Sequence, residues 1–303
     1  MHVLVTGGAG FIGSNTVDAL LEQGHRVRVV DNLCSGKRAN LRQHEALEFI
    51  EADIRDAAAV EAAVGGITHV LHLAAQVFVP TSIEQPAFSS SVNVAGFLTV
   101  LDAARRAKVQ RFVYASSAAV YGTPTELPLT EASNAVALSP YALDKLVDDQ
   151  YAALFSHLYG VSCCGLRYFN VYGARQDPRS AYSGVISQFC ERAKVGAPLT
   201  VFGNGMQTRD FVSVVDVARA NVAALLGAAT GVVNVATGQS VTLLQLIEAL
   251  GRAVGRPLQV LHADSRAGEV RLSSVDPVRL RRDLGVQGHV DLEDGLRQLL
   301  QSL

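Results

Sequence analysis

Short apolar runs recur along the first half of the chain and predict buried strands. The runs are five to seven residues long and rich in valine, leucine and isoleucine, as strands covered on both faces require. They occupy residues 2–6, 26–30, 47–51, 69–73, 111–115 and 162–168. The pattern therefore predicts a sheet that is buried on both sides.

The segments between these runs have apolar residues at three- and four-residue spacing, which is typical of helices that lie on a sheet. Such helices are predicted over residues 13–23, 56–64, 91–107 and 140–159. Because strands and helices alternate, we predict an α/β fold with a doubly wound parallel sheet of the Rossmann type.

The regular alternation ends near residue 175. The sequence predicts a loop there, then a helix over 184–195 and a short strand ending at residue 202. We predict that 1–174 form the cofactor-binding domain and that 175–303 mainly form a smaller substrate-binding lobe. A helix near 214–227 and a following strand predict that 205–240 return to the main sheet, so the two parts interleave.

The residue composition fits a folded protein and excludes several classes. Hydrophobic residues make up 49% and charged residues 18% of the 303 residues, which is enough for a large core. Lysines and arginines are scattered and the formal net charge is −2, so we predict no nucleic-acid partner. No 18-residue apolar run and no signal-peptide pattern is present, so we expect a cytoplasmic protein with no membrane segment.

The four cysteines form no Cys-x-x-Cys pair. Cys163 and Cys164 are adjacent in a predicted strand, where neighbouring side chains point to opposite faces. We expect these two, Cys34 and Cys190 to be reduced core thiols, and we predict no metal site.

A glycine-rich loop follows the first predicted strand. Gly7, Gly8, Gly10 and Gly13 fit two overlapping spacings of a dinucleotide-binding loop, and a helix is predicted to begin there. Glycines at these positions allow positive φ and close approach of the backbone to a pyrophosphate, which the helix N-terminus attracts. The alternative is that the glycines only make a tight turn.

Two acidic residues end the next strands. Asp31 lies about 20 residues beyond the loop, as a ribose-binding carboxylate does, and it would repel a 2′-phosphate, so NAD is favoured over NADP. Asp53, followed by Ile54, could line the adenine site or could cap the next helix.

Ser117, Tyr141 and Lys145 form the candidate catalytic group. Tyr141 and Lys145 are four residues apart on a predicted helix and therefore share a face. At ~5 Å and an effective dielectric near ~20, an ammonium favours a phenolate by ~3 kcal/mol, about two pKa units. A nearby positively charged nicotinamide could supply the rest and make Tyr141 a usable base at neutral pH.

Nine segments resemble, in order, the extended short-chain dehydrogenase/reductase family, and in particular its UDP-hexose 4-epimerases. They read TGGAGFIGS, VVDNL, DIRD, HLAAQ, SSAAVYG, PYALDK, LRYFNVYG, RDFVSVVDVA and RAGEV. The resemblance implies that Ser117 and Tyr141 contact the sugar 4-hydroxyl and that Lys145 also holds the nicotinamide ribose. It implies an NAD site lined by Gly7, Gly10, Phe11, Ile12, Gly13, Asp31, Asn32, Ser35, Gly36, Asp53, Ile54, Leu73, Ala74, Ala75, Gln76, Asn93, Tyr141, Lys145 and Tyr168.

The implied reaction is oxidation and reduction at C4 of a nucleotide sugar. Tyr141 takes the 4-hydroxyl proton, hydride passes to tightly held NAD, the 4-keto sugar rotates, and hydride returns to its opposite face. Related dehydratases and decarboxylases carry acids after the serine, and reductases carry a cysteine, whereas this chain has Ala118 and Ala119. The two alanines could also simply pack on the sheet.

Further residues match family positions that bind the nucleotide sugar. The resemblance assigns Asn170, Arg209 and Arg266 to the diphosphate and Glu269 to the nucleotide ribose, although each arginine could be a surface charge. It assigns Val185, Thr200 and Phe202 to the base pocket, although Phe202 could equally belong to the core.

Ser273 matches the position beside the sugar 2-substituent, where a small residue admits an N-acetyl group. We therefore expect UDP-GlcNAc and UDP-GalNAc as substrates beside UDP-glucose and UDP-galactose. Val77 stands where some epimerases have a lysine near the sugar, so UDP-glucuronate 4-epimerase is the nearest alternative.

Two other expectations concern class and assembly. A non-catalytic NAD-sensing regulator could share the fold, but such relatives usually lose Tyr141 or Lys145. The resemblance also implies a homodimer that pairs the helices near 91–107 and 140–159.

Overall fold

A computed structural model describes residues 1–177, 184–265 and 272–303. Its centre is a sheet of seven parallel strands, which confirms the predicted Rossmann-type α/β fold. The first six strands are β1 His2–Thr6, β2 Arg26–Asp31, β3 Leu47–Glu51, β4 His69–His72, β5 Arg111–Ser117 and β6 Cys163–Tyr168. They lie in the order β3-β2-β1-β4-β5-β6, and a strand from the second half of the chain extends the β6 edge.

The described part of the second half supplies six further strands. These are β7 Asn170–Tyr172, β8 Leu199–Phe202, β9 Thr208–Ser213, β10 Gly231–Val235, β11 Ser240–Thr242 and β12 Val260–Ala263. β10 is the strand that pairs with β6 in the main sheet. β7, β9 and β11 form a second sheet, while β8 and β12 form a third.

Eleven α-helices surround the sheets in the part of the chain that the structure describes. They are α1 Phe11–Glu22, α2 Ala57–Val64, α3 Val79–Glu84, α4 Pro86–Ser90, α5 Gly96–Arg106, α6 Pro140–Tyr159, α7 Val185–Lys194, α8 Val214–Leu226, α9 Leu243–Val254, α10 Val278–Leu284 and α11 Leu292–Ser302.

The main sheet has a core on each face. Side chains alternate between the faces of a strand, so Val113 of β5 packs on the side of α1 and α8, while Phe112 and Tyr114 pack on the side of α2, α5 and α6. A third core, centred on Leu246 and Phe189, lies among α7, α9, α11 and β8. The carboxyl ends of the parallel strands therefore share one edge, where ligands bind in such sheets.

The cysteine prediction is right for three residues and wrong for one. Cys163 and Cys164 are buried in opposite cores, and Cys190 is buried in the third. Cys34 is exposed because it lies in the loop after β2, beyond the end of the strand and outside the cores. All four thiols are free.

One helical stretch has the length and composition of a membrane span. It runs through Pro86–Arg106 and includes a π-helical turn at Ser91–Ala95 between α4 and α5. Phe97, Val100 and Leu101 of this stretch are fully buried in the core against the sheet. The apolar residues of the stretch therefore serve the protein core.

Candidate active site

The glycine loop after β1 brings three backbone segments into contact. Gly7 has φ +70°, and a Cβ on it would lie 2.7 Å from the backbone nitrogen of Ala74, in the loop after β4. A Cβ on Gly13 would lie 2.2 Å from the carbonyl oxygen of Gly7. The chain passes through these positions only because they lack side chains.

Helix α1 begins at the end of this loop with its N–H groups uncapped. Its N-cap is Gly10, no side chain in the described part of the chain caps it, and its first turn, which contains Phe11 and Ile12, has no acidic residue. Free N–H donors and the positive end of the helix dipole together favour an anion. The loop and helix thus fit the pyrophosphate of a dinucleotide.

Asp31, at the end of β2, holds the neighbouring loops together. Its carboxylate accepts hydrogen bonds from the N–H of Ala9 (2.9 Å) and of Leu33 (2.8 Å). Gly36, next to Ser35, packs so closely on this carboxylate that a Cβ would lie 3.0 Å from both oxygens. The carboxylate is buried beside the glycine loop, where a ribose-binding acid is expected.

Asp53 does not cap the following helix. The N-cap of α2 is Asp56, whose carboxylate accepts from the N–H groups of Ala58 and Ala59. Asp53 instead accepts from Asn32 Nδ2 (3.1 Å) and forms a 2.7 Å ion pair with Arg55, which holds the pKa of the carboxyl well below its usual range. Of the two hypotheses, the capping one is therefore wrong. Ile54, beside it, is buried in the core.

The loop after β4, Leu73 to Gln76, is fixed by an asparagine from the π-helical turn. Asn93 Oδ1 accepts from the Gln76 N–H (2.8 Å), and Asn93 Nδ2 donates to the Gln76 carbonyl (3.0 Å). The same Nδ2 lies 3.1 Å from Asp144 Oδ2 on α6, which also accepts from Ser89. This network fixes the loop that carries Ala74 and Ala75 to the helix that carries Tyr141.

The three candidate catalytic residues lie on adjoining elements. Ser117 is the last residue of β5, and its Oγ accepts from the Ala119 N–H (3.1 Å). Ser139 caps α6, so Tyr141 lies in the first turn of that helix. The backbone N–H of Tyr141 donates to Ser82 Oγ (3.1 Å). Lys145 lies one turn further on and is almost fully buried. The three residues therefore lie at one edge of the sheet, with Ser117 at the end of β5 and the other two on α6, which contacts β5.

Two buried carboxylates lie behind Lys145. Lys145 Nζ is 3.2 Å from Asp148 Oδ2, and side-chain exposure is 2% and 0% in this pair. Burial by itself would lower the pKa of Lys145, but the Asp148 carboxylate, followed by Tyr141, raises it above its ordinary value. Asp149 is held separately by Arg167, through bonds of 3.0 and 2.9 Å, and by the Tyr114 hydroxyl.

Tyr168 ends β6 opposite Ser117 in the sheet register. Its hydroxyl donates to Asn221 Oδ1 of α8 (2.6 Å), and Asn221 in turn donates to Thr16 of α1. The hydroxyl is thus used within the core, so Tyr168 can offer the cofactor only its ring.

The predicted substrate residues come from the second half of the chain. Asn170 Nδ2 donates to the backbone carbonyl of Asp210 on β9, beside Arg209 (3.1 Å). The Ser273 N–H donates to Thr208 Oγ1 on the same strand (3.0 Å). The structure therefore brings Asn170, Arg209 and Ser273 to one sheet.

The residues predicted for the base pocket lie on two elements of the third core. Val185 begins α7, and Thr200 and Phe202 lie on β8, all three partly buried. Arg266 and Glu269 lie outside the described residues.

Asp144, Asp148 and the bond between Asn93 and Asp144 were not predicted from the sequence. The available signal was the run of charged residues on α6, where Asp144, Asp148 and Asp149 lie within four residues of Lys145 and all are buried. Acids on that face require partners.

Comparison with known proteins shows which family the chain resembles along its whole length. A UDP-glucose 4-epimerase of Mycolicibacterium smegmatis is 39% identical over 307 residues, covering 99% of this chain and 98% of that protein. The structure of a UDP-N-acetylglucosamine 4-epimerase from Methanobrevibacter ruminantium, in complex with UDP-N-acetylmuramic acid, matches with TM-score 0.96 and 36% identity over 99% of this chain and 97% of that chain.

The UDP-glucose 4-epimerase of Thermus thermophilus, in complex with NAD, matches with TM-score 0.91 and 38% identity over 100% of this chain and 98% of that chain. Residues 3–236 match the NAD-dependent epimerase/dehydratase family. The predictions of an isomerase and of NAD as its cofactor are confirmed, and the chain belongs to the NAD-dependent epimerase/dehydratase family.

Proposed function

We propose that this chain interconverts UDP-glucose with UDP-galactose, and UDP-GlcNAc with UDP-GalNAc, by inversion at C4. The proposal depends on which side chains the site contains and which it lacks. Ser117, Tyr141 and Lys145 adjoin a dinucleotide cradle, while Ala118 and Ala119 follow the serine. A site with one base and no second acid is suited to redox at C4 but not to elimination.

The side chains have distinct tasks in this reaction. Tyr141 removes the proton from the 4-hydroxyl, and Ser117 hydrogen-bonds the same oxygen. The Lys145 ammonium stabilises the Tyr141 phenolate and binds the nicotinamide ribose. The glycine loop and the N-terminus of α1 would hold NAD, which would supply the hydride acceptor and donor for C4. We propose the other cofactor residues predicted from the sequence as the lining of that site.

We propose that 175–303 mainly hold the nucleotide sugar, with 1–174 holding NAD and 205–240 returning to the main sheet. Arg209 and Asn170 would meet the diphosphate, since a guanidinium binds phosphate oxygens in pairs. Val185, Thr200 and Phe202 would meet the base. The separate sheets of β8 and β9 support the nucleotide-sugar part, and the pairing of β10 with β6 supports the return to the main sheet, although β9 itself stays in the second sheet.

Ser273 supports acceptance of N-acetyl sugars. Its backbone N–H donates to Thr208 Oγ1 and its carbonyl accepts from Ser240 Oγ, so its backbone is fixed. A fixed backbone with a small side chain leaves room for an acetamido group. The likeness to a UDP-N-acetylglucosamine 4-epimerase supports the same substrate.

A homodimer is the assembly that the surface favours. The outer face of α6 exposes an apolar stripe at helical spacing, which includes Leu143, Leu154 and Leu158, with exposures of 53%, 46% and 56%. Such stripes mark interaction sites. We expect action in the cytoplasm, where four free thiols remain reduced.

A panel of UDP-sugars tests the substrate assignment. The purified protein should convert both the hexose and the N-acetylhexosamine pair to their C4 epimers without added NAD, and NAD should be released on denaturation. Ser273→Tyr should reduce kcat/KM for the N-acetyl pair by ~10²-fold and spare the hexose pair, because a phenol ring fills the acetamido space. Ser273→Ala is the matched control and should keep its activity on both pairs of substrates.

Inactivity on the N-acetyl pair in the unmodified enzyme would remove that part of the proposal. Epimerisation of UDP-glucuronate alone would instead support the alternative assignment.

A further inference from the structure

Asp148 is a buried acid whose presence the fold does not explain. Its one bond in the described part of the chain is the 3.2 Å contact with Lys145 Nζ, and its second oxygen, Oδ1, is buried without a hydrogen-bond partner among the described residues. An incompletely satisfied carboxylate in the interior destabilises the folded state. A residue of this kind needs a functional reason.

The neighbouring Asp149 shows what a structural acid looks like in the same place. Its carboxylate accepts two bonds from Arg167 and one from the Tyr114 hydroxyl, so it connects α6 to β5 and β6. Asp148 makes no such connection and pairs with a residue of its own helix. The two adjacent acids therefore have different tasks.

Lys145 supplies the reason for Asp148. An ammonium that is 2% exposed and unpaired loses its proton readily, and buried lysines can have pKa values several units below normal. A neutral Lys145 could neither stabilise a phenolate nor donate all three of its protons. The site therefore needs a counterion that leaves the remaining two protons free.

We propose that Asp148 is a positioning residue that keeps the Lys145 ammonium charged and holds it with one bond, so that its other protons reach Tyr141 and the cofactor ribose. This inference rests on the proposed function, since it gives Lys145 a partner in Tyr141. Burial raises the pKa of Asp148, and the Lys145 ammonium opposes this shift and favours the carboxylate.

The surroundings offer no second counterion of equal reach among the described residues. Asp149 is engaged by Arg167, and Asp144 by Ser89, Ser90 and Asn93. The titratable and charged groups that face the pair from α6 and from β4 and β5 are Tyr141, Asp144, Asp149, His72 and Tyr114. Burial lowers the pKa of His72 to about 3, so it adds no charge there.

The direct test titrates Lys145 by NMR in protein labelled with ¹³C at the lysine Cε. The chain has four lysines, and Lys37, Lys108 and Lys194 are exposed, so the buried one is distinguishable and is assigned by its absence in Lys145→Met. In Asp148→Asn we expect the titration midpoint of Lys145 to fall by about two pH units or more. Asp144→Asn is the matched control and should shift the Lys145 midpoint clearly less.

The pH dependence of kcat gives a second reading. Removing an anion from a coupled acid–base pair favours loss of each of its protons, so both limbs of the profile should move to lower pH in Asp148→Asn. Asp148→Ala also removes the carboxylate, so it can replace Asp148→Asn in both measurements if the asparagine variant does not fold.

An unmoved Lys145 midpoint would overturn the proposal, and so would a loss of kcat that is equal at every pH. The NMR titration needs no substrate, so it remains decisive even if the proposed substrates are wrong.

Discussion

At the scale of residues, the site depends on a few charged groups that the protein keeps away from water. Lys145 and Asp148 are paired beneath the phenol-bearing turn of α6, and Asp149 and Arg167 are paired beside them. Breaking a buried pair by removing one partner typically costs ~3–5 kcal/mol. Substitutions here must therefore be judged on folding as well as on turnover.

Tyr141→Phe removes the base and leaves the ring. We expect kcat to fall by ~10²–10⁴-fold, the usual contribution of a positioned acid–base group, while bound NAD and the melting temperature stay near their original values. Tyr159→Phe, at the exposed end of the same helix, is the control and should keep full activity. Unchanged turnover in Tyr141→Phe would remove it as the base.

The sequence alone predicted the residues that belong to recurrent patterns. Gly7, Asp31, Tyr141 and Lys145 stand at spacings that chemistry imposes, so they could be found without coordinates. Asp53 shows the limit, because two acids three residues apart both precede α2 and only the fold decides that Asp56 is its cap.

At the scale of elements, the fold was predictable because buried strands and amphipathic helices differ in period. The predicted strand over 162–168 and helix over 140–159 agree with β6 and α6 to within a residue. The prediction over 91–107 was less complete, because the helical run starts earlier, at Pro86, and passes through a π-helical turn. Such a turn holds one residue more than an α-helical turn, and the spacing of apolar residues does not reveal it. The extra residue turns Asn93 toward Gln76.

Gly13→Ala tests the junction of β1, its loop and α1. The new methyl would lie 2.2 Å from the Gly7 carbonyl oxygen and 2.7 Å from the Gly8 Cα, so the backbone must shift. We expect loss of NAD and a fall of ~2 kcal/mol or more in the free energy of unfolding, measured by denaturant titration.

Gly184→Ala is the control for this change. Its φ is −57°, and a Cβ there would meet its nearest neighbour at 3.6 Å. It should keep NAD and stability. Retention of NAD by Gly13→Ala would show that the cofactor does not use this loop.

At the scale of the whole molecule, the unpaired surface of α6 argues for a dimer. Leu154→Arg places a charge in the apolar stripe and should shift the mass in solution from twice 32.1 kDa to the single-chain value, because a desolvated charge is costly at an interface. Leu226→Arg, on α8 and 57% exposed, should leave the mass unchanged. Light scattering after gel filtration measures both, and a monomer in the unmodified protein would contradict the proposed dimer.

In the proposed reaction the enzyme inverts C4 by removing and returning the same hydrogen. UDP-galactose that carries deuterium at C4 tests this directly, with the product analysed by NMR and mass spectrometry. We expect UDP-glucose that retains the deuterium at C4, formed without added NAD. Deuterium lost to water, or a product unchanged at C4, would contradict it.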